Sequence, residues 1–245
     1  MPAPLSFLTL ELTSKVKDPI DVPDIIKSTI LTRIKKSSNN ADNRVQYLYD
    51  VNETLWKPRQ LVTQEAVNHH GLSNELLSNK DSIAGLKIKN YIVYWANVYT
   101  FRILQLSKVK FYNHRFIFLN NLLNVIGEDG TKSMNTWAKT VSKVEGLNID
   151  DEILKNPNNK AICLTIVFDY IAQKFIQLYG FDINKHYDLV AAVQYNSALK
   201  AKEKKSLKVH KVMSNDFIEI KKLIDSGHDV KGIKKQYFEK HRYSP

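Results

Sequence analysis

The spacing of apolar residues changes several times along the chain, and each change marks an element. Residues 6–13 read SFLTLELT, with Leu8, Leu10 and Leu12 alternating with Thr9 and Glu11. That period of two predicts a strand, which Lys17-Asp18-Pro19 breaks. After Pro23, the residues Ile25, Ile26, Ile30 and Ile34 recur at helical spacing and predict a helix over 25–36. Residues 37–43 are a polar loop, and 45–51 alternate Val45, Tyr47, Tyr49 and Val51 as a second strand candidate. A helix weakened by Gly71 is expected over 62–78.

From Lys89 onward the pattern reads as helical. One amphipathic segment runs from Tyr91 to about Ser107, and a second from Phe116 to Ile126, stopped at Gly127. Ser133 caps a third, through Trp137, Val141 and Val144. Residues 161–180 are the most apolar stretch and predict a central buried helix, with Ile162, Leu164, Ile166, Val167, Ile171, Phe175 and Leu178 inside. Another helix is expected over 186–212. In the C-terminal segment, Gly227 suits a helix end and Asp229 the N-cap of a following helix. The resulting hairpin has helix-turn-helix-like spacing and exposes Lys231, Lys234, Lys235 and Gln236. These elements predict a mainly α fold, a two-lobed helical protein with a possible small N-terminal β-element. Its expected parts are an N-terminal mixed lobe or arm (1–85), a helical core (86–212) and the C-terminal hairpin (213–245).

The first strand carries Leu8, Leu10 and Leu12 on one face and Phe7 on the other, and such a strand needs cover on both sides. Nothing near it in sequence supplies that cover. The expectation is an arm that packs against a neighbouring copy and forms a homo-oligomer; the alternative is pairing with 45–51 in its own chain.

Composition narrows the classes. The chain has 245 residues, is 43% hydrophobic and 25% charged, and contains one cysteine, Cys163. That excludes an internal disulfide framework and a cysteine-based zinc site, and predicts a buried, inert thiol suited to a reducing, cytoplasmic setting. No apolar run approaches 18 residues, so no membrane partner is expected, and the N-terminus lacks the basic region of a secretory signal. The seven histidines show no metal-ligand spacing; His69-His70 reads as a solvent-exposed pair. Phosphate-binding glycine loops and nucleophile elbows are absent, so no catalytic residue, metal or cofactor is assigned.

Charge is more informative. The net charge is +11, and residues 200–245 contribute 13 Lys/Arg against 6 Asp/Glu. From Ser82 to Gly127 there is no acid in 46 residues, while Lys87, Lys89, Arg102, Lys108, Lys110 and Arg115 supply six cations. A field of one sign attracts polyanions. The same segment holds nine aromatic residues from Tyr91 to Phe118, interleaved with cations in KVKFYNHR (108–115). Cations between aromatic platforms are what a nucleic-acid strand requires. The candidate contacts are Lys87, Lys89, Arg102, Lys108, Lys110, Tyr112 and Arg115, joined by Lys200, Lys202, Lys204, Lys205 and Lys208 on one basic surface. The expected function is a non-enzymatic nucleic-acid-binding protein, with RNA favoured over DNA. Single-stranded RNA would lie between helical lobes, in the manner of nucleoproteins that coat viral RNA. The alternatives are a DNA-binding protein reading through the C-terminal hairpin, and a helical adaptor whose charge serves solubility.

Overall fold

A computed structural model describes residues 3–14, 22–35, 47–96, 99–144, 157–203 and 208–240. Its centre is a five-stranded sheet in the order β3-β2-β1-β4-β5. The strands are β1 (Leu5–Leu12), β2 (Ile25–Lys35), β3 (Tyr47–Leu55), β4 (Tyr91–Tyr94) and β5 (Phe116–Phe118). β1, β2 and β3 form an antiparallel meander, while β4 and β5 add in parallel beside β1.

The expected mainly α, two-lobed architecture is therefore incorrect: the fold is α/β around a mixed sheet. The misreading has identifiable sources. In β2, the isoleucines at 26, 30 and 34 fit a helical step of four, but they fit a strand equally, because four is also a multiple of two. Ile25, Ile26, Thr29, Ile30, Thr32 and Ile34 make the segment rich in β-branched residues, and such residues fit a pleated surface better than a helix. β4 and β5 are runs of four and three residues buried within a layered fold, and short apolar runs carry no usable period. β2 also separates β1 from β3, so the two strand candidates of the sequence do not pair with each other.

The helices are α1 (Gln64–His70), α2 (Asn74–Leu77), α3 (Thr100–Leu106), α4 (Leu119–Val125), α5 (Met134–Val144), α6 (Pro157–Tyr179), α7 (Tyr187–Glu203), α8 (Val209–Asp225) and α9 (Val230–Lys240). The helix expected over 62–78 is two short ones. Thr63 caps α1 by accepting the Ala66 amide, and Gly71 ends it at φ 73°.

Alternation along the strands feeds two larger cores, and Ile26 of β2 joins a third, small cluster with Val62, Ala66 and Leu77. Leu5, Phe7, Leu31, Val93 and Ile117 point to one side, beneath a helical layer that includes α4 to α8. Leu8, Ile92 and Phe116 point to the other, where Trp56, Ile83, Ile103 and Leu104 close a smaller core. β1 thus has its two apolar faces covered by its own chain, as the central strand of the sheet. That removes the reason for an intermolecular arm: the cover lies distant in sequence, on α6 and around α3.

α6 is the central helix anticipated from its composition. Leu164, Val167, Ile171 and Phe175 are fully buried, whereas Ile162 and Leu178 are exposed and Ile166 is intermediate. Cys163 is buried beside them, and burial pushes its thiol up to about 11, consistent with an inert side chain. Phe175 makes edge-on contact with Phe217 of α8 at 4.9 Å between ring centroids. Phe175→Ala is expected to cost about 3–5 kcal/mol through the cavity it leaves. Ile162→Ala, on the exposed face, should stay within about 0.5 kcal/mol. Urea unfolding of the two variants checks the assignment of faces; equal losses would contradict it.

Candidate nucleic-acid interface and the β1 charge cluster

The acid-free segment builds one concave surface. Residues 86–88 run beside 109–110: the Ile88 amide donates to the Lys110 carbonyl at 2.7 Å, and the Lys110 amide to the Leu86 carbonyl at 3.0 Å. Lys87 and Lys110 sit opposite each other on this ladder. The alternation buries Ile88 and Val109 and leaves Lys87, Lys89 and Lys110 outward. These lysines and Gln105, Phe111, Tyr112, Asn113, His114 and Tyr195 surround a groove of about 770 Å³, and among the described residues no carboxylate lines it. Tyr195 comes from α7, which packs across the short 3₁₀ turn Asn113–Arg115.

Arg115 braces the lining from outside it. Its guanidinium donates to the Lys89 carbonyl and lies over the Tyr112 ring at 4.7 Å and the Tyr91 ring at 5.6 Å. Tyr112 stays half exposed beside His114, at 5.7 Å between centroids, and His114 meets Tyr195 at 6.1 Å. Partial burial, then the Arg115 charge, hold His114 below its ordinary pKa, so the ring is neutral at neutral pH.

The expected contact residues separate into groups. Lys87, Lys89, Lys110 and Tyr112 line the groove, and Arg115 braces it. Lys108 belongs to a second, smaller pocket, and Arg102 is exposed on α3 outside both linings. Lys200 is paired with Asp216 at 2.9 Å, across from α7 to α8. Lys202 is exposed two turns beyond Tyr195 on the same face of α7. Lys208 is exposed at the start of α8, and Lys204 and Lys205 lie outside the described residues. Phe111 and Tyr195 were missed as groove residues; Tyr195 enters through a helix some 80 residues away, which local spacing does not reveal.

The C-terminal hairpin forms as anticipated, with Gly227 at φ 90° between α8 and α9 and the Asp229 side chain capping Gly232. Lys231, Lys235 and Gln236 are exposed. Lys234 is not free as expected: it bonds Asp188, which docks α9 on the start of α7.

The groove lies before the first residues of β4 and β5. The opposite edge, past the end of β1, holds a charge cluster. Buried Glu11 accepts from the Lys160 ammonium at 2.8 Å, and that nitrogen lies 3.4 Å from His69 Nε2. His70 is not solvent-exposed as the sequence suggested. Its Nδ1 accepts the Leu72 amide at 3.1 Å, which leaves Nε2–H to donate to the Leu12 carbonyl at 3.3 Å. Only the neutral ring satisfies both bonds, and burial lowers its pKa.

No protein-family model matches the chain, and no curated protein matches its sequence. Solved structures do resemble it. A full-length 3′-exonuclease aligns over 72% of this chain with 13% identity and a TM-score of 0.46, and this chain spans 62% of that protein. An exonuclease X complexed with 5′-overhanging duplex DNA aligns over 72% of this chain and 93% of its own, with 10% identity and a TM-score of 0.44. The nuclease domain of a DEDDh family member bound to rAMP aligns over 72% and 92%, with 14% identity and a TM-score of 0.47.

The expectation of a non-enzymatic, nucleoprotein-like coating protein is withdrawn. It required a groove between two helical lobes, which the mixed sheet replaces. Nucleases that use a metal pair hold it between clustered ligands. Among the described residues no group of three or more His, Cys, Asp or Glu could hold a metal, and the Glu11 carboxylate is occupied by Lys160. The described residues therefore do not fit a metal pair.

Two outcomes test the charge cluster. Lys160→Met leaves Glu11 buried without its cation and should cost about 3–5 kcal/mol, while Glu11→Leu with Lys160→Met should recover most of it. For His70 the folded state binds fewer protons than the unfolded state. Its contribution is present above the ordinary value of 6.5 and is lost as pH falls through the depressed folded value. The His70→Gln variant should therefore lose less stability than the parent between neutral and mildly acid pH, measured by urea unfolding.

Proposed function

We propose that this chain acts on nucleic acid and holds the strand in the groove of Lys87, Lys89, Lys110, Tyr112, His114 and Tyr195. The observation that carries this reading is the lining itself: three outward lysines interleaved with aromatic rings and, among the described residues, no carboxylate. Lysines supply sequence-independent attraction for phosphates, and Tyr112, half exposed and held by Arg115, offers a flat face to a base. Tyr195 forms the facing wall, and Lys202 extends the cationic surface roughly 10 Å along α7, seven residues at 1.5 Å each. RNA over DNA is the finer part of the reading. It is supported by the rings alone, because aromatic platforms suit unpaired bases, which RNA presents in loops and ends.

Fluorescence anisotropy with labelled oligoribonucleotides and oligodeoxyribonucleotides tests the reading. Affinity should fall steeply with salt, and Lys87→Ala with Lys110→Ala should lower the log–log salt slope by about one unit per lost contact. Tyr112→Ala should weaken binding with little change in that slope, since it removes a stacking face worth about 1–3 kcal/mol and no charge. A parent protein that binds neither polymer, or variants that bind like the parent while folded, would overturn it. Incubation of the same oligonucleotides with Mg²⁺ or Mn²⁺ and analysis of their lengths reads out cleavage directly.

A further inference from the structure

The second pocket carries a separate assignment. It encloses about 130 Å³ between Lys57, Arg59, Ser82 and Lys108, with Asp24 at its base. That is well below the roughly 300 Å³ that a drug-sized ligand needs, so the space suits one small group. Its charge is strongly unbalanced. Asp24 accepts from the Arg59 side chain through Nε and Nη2, and from the Arg59 and Gln60 amides at 2.6 and 2.9 Å. One carboxylate, already holding the arginine, leaves the charges of Lys57 and Lys108 uncompensated within the lining.

The backbone at Lys108 is an independent observation. Lys108 has φ 55° and is the one non-glycine residue with positive φ among the described residues. It occupies the position after the C-cap of α3: its amide bonds the Gln105 carbonyl, and the Val109 amide bonds the Leu104 carbonyl. This is the Schellman arrangement, where glycine is the usual residue because a Cβ is strained there. A lysine at that position keeps a cation at the pocket mouth at the expense of local backbone strain.

The location links the two concave sites. Gln105, Val109 and Lys110 line the groove, while Leu106, Ser107 and Lys108 line the small pocket, so the pockets flank one segment of six residues. We infer that the small pocket is a phosphate subsite, in which Lys57, Arg59 and Lys108 hold a phosphate group of a strand lying in the groove. This assignment rests on the proposed nucleic-acid reading. It adds what that reading lacks, a discrete position for one phosphate that fixes the register of the strand.

The test separates the two. The probes are inorganic phosphate and an oligothymidylate carrying a 5′-phosphate, a 3′-phosphate or neither. Titration of the full chain with inorganic phosphate, followed by amide NMR, should move Arg59, Ser82 and Lys108; unmoved amides would overturn the subsite. Lys108→Gly should melt at a higher temperature than the parent and yet bind the oligonucleotide about tenfold more weakly, the size of one lost charge-assisted contact. Weakening confined to an end-phosphorylated probe identifies a terminal phosphate, and equal weakening on all three an internal diester; both support the subsite. A Lys108→Gly variant that binds every probe like the parent would overturn it while leaving the groove reading intact. A parent that binds no oligonucleotide would instead overturn the groove reading.

Discussion

One buried guanidinium ties the sheet to the helices that carry the groove. Arg33, on β2, is 8% exposed. It donates to Asp169 of α6 at 2.8 Å and to the Tyr49 hydroxyl of β3 at 3.0 Å, and it also bonds Asn184 in the turn before α7. Four rings surround it, with Tyr47 nearest at 4.1 Å and Phe7, Phe168 and Tyr49 between 5.1 and 5.7 Å. Burial alone would lower its pKa, but Asp169 and Tyr49 outweigh that and raise it, so the charge is kept. A charge removed from water must find its partners in the fold, and here they lie on β3, α6 and the 180–186 turn. The same side chain therefore sets β3 against β2, α6 against the sheet, and the start of α7.

From that point the geometry of the groove follows in sequence order. α7 leaves the fixed turn, its Asp188 takes Lys234 of α9, and its Gln194 accepts the Phe118 amide of β5 at 3.1 Å. With α7 pinned at both places, Tyr195 is delivered to the wall opposite Lys87 and Lys110. The groove has two differently built sides: a local ladder of residues 86–88 and 109–110, and a helix held in place by contacts far from the groove.

This division explains what could be read from sequence. The local side was legible, because the acid-free window and its alternating cations fall within consecutive residues. That signal names Lys87, Lys89, Lys110 and Tyr112, which line the groove, and equally Arg102 and Lys108, which do not. The remote side was not: Tyr195 looks like any helical tyrosine until Arg33, Asp188 and Gln194 fix its helix. Lys200 was expected on the basic surface because it sits in a lysine-rich run, yet its ammonium pairs with Asp216, 16 residues away. The fold was misread for a related reason. β3 shows its period of two beside a largely open face, and β1 shows it although its polar Ser6, Thr9 and Glu11 are buried, whereas β4 and β5 are too short and too enclosed to show any period. α6 was legible through its composition, but the exposure of Ile162 and Leu178 shows that an apolar sequence sets a helix's depth less finely than its position under α5 and over β1 does.

The placement of carboxylates gives the cationic surface its location. Glu11, Asp24, Asp188 and Asp216 are each buried to within about a tenth of full exposure, and each holds a cation from another part of the chain: Lys160, Arg59, Lys234 and Lys200. A buried acid needs such a partner, so each of these four carboxylates is engaged by a cation brought from elsewhere in the chain. Residues 82–127 contribute no acid to this arrangement, and their lysines therefore have no partner of their own segment to cancel them. Among the described residues no acid from elsewhere enters the groove lining. The positive charge of the groove thus follows from the acid-free segment that builds it, and it stands over the ladder and the tip of α3, where both pockets open.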